Sequence, residues 1–246
     1  MPSVDTLDGL QRAVAESDAD HYELPAEPAA LDRAGKSLDA SGLLLLGEVH
    51  GVRENPLIIL GLMRLLGLTH LALEWPEGLQ PQLERYLADG TGLDHPLWWL
   101  GDGRVTAGHL AVLRKIDGLR VTLFDGGDMT EDWSARDASM ARRVLAAHAA
   151  PTLVVVGNAH TPTTPTGLGL PMGACLAEAR PGVESVRIDY GTGSFYNLEP
   201  RRYSRPCAEA GLRVADGELV VGLPEFGEAT VPHLPLEQLR ERLGLI

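Results

Sequence analysis

A chain of 246 residues, 44% of them hydrophobic, can bury a sizeable core, and with no linker-like stretch dividing it a single domain over residues 1–246 is expected. Its formal net charge of −13 repels nucleic-acid phosphates and anionic lipid heads, so a small molecule is the expected partner, with no nucleic acid and no membrane. The opening stretch MPSVDTLDGLQRAVAESDAD is acidic and amphipathic, without a basic or apolar leader region, and no apolar run reaches about 18 residues, so a cytoplasmic chain is expected.

Residues 42–47 (GLLLLG) form a short, continuously apolar run, which suits a strand buried on both faces. A helix is predicted over 55–67, with Pro56 in its first turn and Gly67 just past its last apolar pair. The alternation then continues through a strand at 69–75 (THLALEW), helices at 79–89 and 107–117, a strand at 119–125 (LRVTLFD), a helix at 134–148, a strand at 152–158 (TLVVVGN), a helix at 172–180 and a strand at 183–189 (VESVRID). Such alternation predicts an α/β fold: a mostly parallel central sheet joined by right-handed crossovers, with helices on both faces. The core is expected over about residues 40–195. Residues 196–246 are rich in turn formers and are read as edge strands, loops and a closing helix near 235–243.

The polar residues fall at informative places. Glu48 and His50 follow the first core strand, Glu74 ends the second, Asp125 ends the third, and Asn158 and His160 follow the fourth. Parallel α/β sheets build their sites at the carboxyl ends of the strands. Ionisable groups abutting apolar strands are costly unless paired or functional. Glu48, His50, Glu74 and His160 are therefore expected to line one pocket within about 10 Å, given neighbouring strands about 4.8 Å apart. Asp125, ahead of Gly126 and Gly127, is a binding group or a turn former. Arg136 either reaches back to pair a site carboxylate or makes a surface ion pair on its helix. Asn158 is grouped with the binding residues. Trp99, beside Trp98 in DHPLWWLGDG, forms an aromatic wall over a ligand or anchors its loop in the core. His21, His70, His95, His109, His148 and His233 lack a strand-end setting and are given no role. Cys175 and Cys207 are read as inert thiols. The sequence contains no GxSxG elbow, no phosphate loop with its lysine and no HExxH.

Taken together, LLLLGEVHGVREN (43–55), LALEWPE (71–77), RDASMA (136–141), VVVGNAH (154–160), LPMGACL (170–176) and YGTGSF (190–195) resemble, in order, the superfamily of erythromycin esterases, ChaN and TIKI/TraB proteins. The resemblance implies an α/β core whose site is formed by the glutamate and histidine of GEVHG, the glutamate of the second strand and the histidine of GNAH, here Glu48, His50, Glu74 and His160. Erythromycin esterases usually space the first pair as GExxH, whereas this chain has GExH, and a macrolide substrate is not implied.

These residues support a hydrolase that uses Glu/His acid–base chemistry on an ester, lactone or amide of a small molecule. No cofactor is required in that reading; a divalent metal (manganese, cobalt or zinc) held by the same four residues is the alternative. Two further readings share the site or the fold. One is a pathway enzyme of secondary metabolism that cyclises or transfers an acyl group. The other is a ChaN-like haem or iron binder using Tyr190, Tyr196 or Tyr203.

Overall fold

The computed structural model describes residues 3–17, 22–127, 132–206 and 209–244; His21 and Cys207 lie outside these residues. In chain order the elements are β1 (Ser3–Val4), α1 (Leu7–Glu16), α2 (Pro28–Ser41), β2 (Leu43–Glu48), α3 (Asn55–Leu65), β3 (His70–Pro76), α4 (Gln80–Asp89), α5 (Ala107–Leu113), β4 (Arg120–Asp125), α6 (Trp133–Ala147), β5 (Thr152–Gly157), α7 (Met172–Ala179), β6 (Glu184–Asn197), β7 (Glu199–Ser204), β8 (Gly211–Ala215), β9 (Glu218–Phe226), β10 (Val231–Pro232) and α8 (Leu236–Arg242). The main sheet has the order β4-β3-β5-β2-β6-β9-β8, with β7 paired to the distal half of β6. From β4 through β9 every neighbouring pair is parallel; β7 and β8 join antiparallel. The fold is α/β.

The period of two along each strand divides the core into two layers. Leu44 and Leu46 of β2, Leu71 and Leu73 of β3 and Leu153 and Val155 of β5 face one layer, together with α2, α3 and α5 residues such as Ala34, Ile58 and Leu110. Leu43, Leu45, Ala72, Val154 and Val156 face the other, against Met140 and Val144 of α6 and Leu176 of α7. Burial on both faces explains why these strands are apolar without alternation. No helix among the described residues is long and apolar enough to cross a membrane.

The structure departs from the sequence reading after Gly191. β9 is an interior strand, hydrogen-bonded to β6 on one side and β8 on the other. Its Leu219, Val220 and Val221 are buried, but a three-residue apolar run among turn formers is too short to be told from an edge strand in sequence. β6 also runs on past the sheet's carboxyl edge to Asn197, where its backbone packs on Gly51. A side chain on Gly51 (φ 75°) would collide with the Tyr196 carbonyl oxygen.

A closed ring of hydrogen bonds ties the segment after β2 to β6. The Val49 N–H donates to the Tyr190 hydroxyl (2.9 Å), that hydroxyl donates to Asn55 Oδ1 (2.8 Å), and Asn55 Nδ2 donates to the Val49 carbonyl (2.8 Å). Tyr190 and Asn55 are both buried. Tyr190→Phe leaves the Val49 N–H and Asn55 Oδ1 without partners, so it is expected to cost about 1–3 kcal/mol, read as a lower urea midpoint at unchanged m-value. An unaltered midpoint would show that this ring does not hold the segment.

Candidate functional site

β5 lies between β3 and β2, so the last residues of those two strands are separated by the width of one strand. Glu48 continues the Leu44–Leu46 face of β2, while Glu74 continues the Ala72 face of β3. The two carboxylates thus enter from opposite layers of the core. Between them β5 ends in Gly157, which pairs with Glu48. A Cβ at Gly157 would lie 3.2 Å from His50 Nε2, 3.4 Å from Glu74 Oε2 and 3.5 Å from His160 Cδ2. Three of the four sequence-selected side chains therefore converge on the space left by one missing side chain, and the fourth, Glu48, holds His50 from below.

The hydrogen bonds give each ring an orientation. His50 Nδ1 donates to Glu48 Oε1 (3.2 Å), and its Nε2 stands 3.9 Å from Glu74 Oε2. His160 Nδ1 faces both oxygens of Asp137 (2.8 and 2.9 Å), and its Nε2 stands 3.8 Å from Glu74 Oε1. Asp137 is fully buried and also accepts the Met172 N–H at the start of α7 (2.7 Å). Trp133 stacks on the His160 ring at 4.3 Å and 12°. Glu74 is held in turn by the Gly157 N–H (2.7 Å) and by Arg136 (3.1 Å). Arg136 also reaches Asp125 (3.3 Å), which Arg104 binds together with Asp102.

The electrostatics follow from these partners. Burial pushes the Glu48 carboxyl up, but the His109 and His50 rings facing it outweigh burial and leave it at about 2. Burial pushes the His50 ring down. The Glu48 hydrogen bond and the charges of Glu74 and Glu48 prevail even against Arg104, so its pKa is raised. Asp125 is lowered: burial opposes ionisation, but Arg104, the Gly127 N–H and Arg136 favour it more strongly.

The other sequence-selected residues divide. Asp125 and Arg136 stand beside Glu74. Asn158 is exposed, and with Val49, Tyr190, Phe195 and Phe226 it lines a cavity of about 290 Å3 next to the centre. Trp99 is buried with its ring N–H on the Leu93 carbonyl (3.2 Å), an anchor of its loop in the core and no part of the centre. Arg104, Asp137 and His109 had no assigned role in the sequence reading. His109 is buried on α5, with Nε2 3.7 Å from Glu48 Oε2 and Nδ1 2.9 Å from the Thr106 hydroxyl. Its one sequence signal is Thr106, three residues earlier, which caps α5. Among the described residues, no group of three or more His, Cys, Asp and Glu is arranged to hold a metal ion.

Fold and centre together define an α/β domain carrying a carboxylate–imidazole cluster at the carboxyl edge of its parallel strands. No family model matches the chain, and no curated protein matches it. Among solved structures it is similar to the type III effector HopBA1, at 17% identity and a TM-score of 0.43, over 86% of this chain and 100% of that one. It is also similar to a protein from Bacillus cereus, at 12% identity and a TM-score of 0.47, over 89% of this chain and 80% of that one.

Among the shifted groups, Glu48 and His50 set opposite pH limits on stability. Glu48, depressed below its ordinary 4.5, stabilises the fold above that value and loses its contribution as pH falls toward about 2. His50, raised above its ordinary 6.5, contributes fully below that value and loses its contribution as pH rises through the raised one. The urea midpoint should therefore fall on both sides of the interval from 4.5 to 6.5, and Glu48→Gln should flatten the acid side. Equal acid sensitivity in wild type and variant would contradict the assignment.

Proposed function

We propose that this centre hydrolyses an ester, lactone or amide of a small molecule by general acid–base catalysis without a covalent intermediate. One observation carries the reading: two imidazoles, each fixed through Nδ1 by a buried carboxylate, direct their Nε2 atoms at the same third carboxylate, Glu74. Separations of 3.8 and 3.9 Å are too long for direct hydrogen bonds, so neither Nε2 is committed to Glu74 and both are free to engage a reacting group.

The shifted pKa of His50 divides the roles. A ring that holds its proton to higher pH is suited to be the acid, which leaves His160, oriented by Asp137, as the base. His160 Nε2 takes a proton from water as the water oxygen bonds to the carbonyl carbon. His50 Nε2 gives a proton to the leaving oxygen or nitrogen as its bond to that carbon breaks. Glu74, facing both Nε2 atoms, passes the proton back and restores the starting state. The 290 Å3 cavity, walled by Tyr190, Phe195 and Phe226, would take an apolar part of the substrate. Neither this cavity nor a second one, of about 350 Å3 and lined by α1, α3 and α5 residues, is lined by the four centre residues themselves, but the first includes Val49, between Glu48 and His50, and Asn158, next to Gly157, so the second is the weaker candidate.

Against a divalent cation, both Glu74 oxygens already receive N–H donors, and Arg136 and Arg104 bring two positive charges to the same cluster; the Nδ1–carboxylate contacts do not bear on this, since they leave both Nε2 atoms uncommitted. For the haem-binding alternative, the Tyr190 and Tyr196 hydroxyls are already engaged, by Asn55 and Val49 and by His233. Acyl transfer or cyclisation requires only that another hydroxyl take the place of water, and the buried Glu48, Glu74 and His160 suit a site that excludes bulk water.

A panel of p-nitrophenyl and naphthyl esters provides the test. His50→Ala and His160→Ala should each lower kcat/KM by about 10² to 10⁴, with the double variant hardly worse because the rings act as a unit. Activity should survive exhaustive chelation. Product analysis with an added alcohol separates hydrolysis from acyl transfer. Near-wild-type turnover in both single variants, on an ester the wild type cleaves, refutes the mechanism.

A further inference from the structure

Two buried polar atoms in this molecule face each other without a hydrogen-bond partner: Glu48 Oε2 and His109 Nε2, 3.7 Å apart. The gap is somewhat longer than a hydrogen bond and too short for a water to bridge. An ionised carboxylate oxygen in the core needs a donor, so the pairing depends on which nitrogen of His109 carries the proton.

Thr106 decides this. Its Oγ1 accepts the backbone N–H of His109 (3.1 Å) and lies 2.9 Å from His109 Nδ1. Thr106 and His109 are both buried, and Nδ1 is the acceptor within reach of the hydroxyl hydrogen. If Nδ1 accepts from Thr106, the neutral ring carries its proton on Nε2 and points it at Glu48. If Nδ1 were protonated, the hydroxyl would lose its acceptor and the Nε2 lone pair would oppose the carboxylate. Trp75, edge-on to the His109 ring at 5.8 Å and 88°, fixes the ring plane.

We propose that His109 is a positioning residue of this centre: its Nε2–H donates to Glu48 Oε2, so Glu48 is held between two imidazoles and the basicity of His50 is set from inside the core. This rests on the proposed function only in naming His50 as the acid; the pairing itself is independent of any reaction. The groups around His50 are Glu48, Glu74, Arg104 and, across the space at Gly157, His160, with His109 acting through Glu48 and Arg136 through Glu74. Removing the inner donor leaves Glu48 more basic and its charge undivided on His50. His50 then holds its proton to higher pH.

The test needs no substrate. Long-range 1H–15N correlation spectra of 15N-histidine-labelled protein read the tautomer and titration of each ring. In the wild type, His109 is expected as the Nε2–H tautomer, and Thr106→Val should shift it toward Nδ1–H. His109→Phe, which keeps a ring but no donor, should raise the His50 midpoint by about half a pH unit or more, a roughly threefold change in proton affinity. His109→Gln, which restores an N–H, should bring it back toward wild type. A wild-type His109 in the Nδ1–H form overturns the proposal, as does an unchanged His50 midpoint in a folded His109→Phe protein. If His109→Phe does not fold, the wild-type tautomer and the Thr106→Val spectrum decide alone. Loss of esterase activity with these ring properties intact would count against the proposed reaction and not against this pairing.

Discussion

The absence of a side chain at Gly157 is the constraint around which the centre is built. A parallel sheet buried on both faces sends alternate residues into opposite layers, so groups ending two different strands meet only where the strand between them leaves room. β5 supplies that room at its last residue. Through it, a glutamate from the α5 side and a glutamate from the α6 side come to share their histidines, and a methyl group there would crowd His50 Nε2 and fill the contact distance to Glu74 and His160.

Carboxylates buried in this way would be prohibitive without compensation. The structure compensates by alternation: His109, Glu48, His50, Glu74, His160 and Asp137 succeed one another, so each anion has an imidazole on either side or, at the end of the series, an imidazole and a helix-initial N–H. Arg136 and Arg104 add two cations on the Glu74 side and draw Asp125 into the same cluster. Asp137 joins chemistry to architecture, since one carboxylate orients His160 and holds the start of α7.

The strand-end members of this cluster were legible in the sequence because an ionisable residue at the end of an apolar run is conspicuous. Glu48, Glu74 and Asp125 announce themselves in this way, and His50 and His160 follow within three residues of a strand. His109 and Asp137 sit inside helices, where an isolated polar residue looks like part of a solvated face, and only three-dimensional packing reveals that each is buried. Arg104 comes from a loop with no periodicity at all. For Trp99 the sequence left two readings, a binding wall and a loop anchor, and packing decides for the anchor: its ring N–H is satisfied by its own loop and its bulk fills the core. The crossover pattern through β6 was readable from alternation, whereas β9 owes its interior place to folding back after the turn that follows β8, so that it lies between β8 and β6.

The first and last imidazoles of the series each contact an indole, Trp75 edge-on to His109 and Trp133 face-on to His160. Indole emission is sensitive to the protonation of an imidazole in contact with it, and stacked and edge-on geometries differ in how strongly they couple. The molecule thus carries two built-in optical probes, one inside the core and one at the rim of the centre. Proton movement along the series can be followed by intrinsic fluorescence, ring by ring as the difference between the protein and a variant lacking Trp75 or Trp133, since Trp98 and Trp99 emit in both, without label, ligand or turnover.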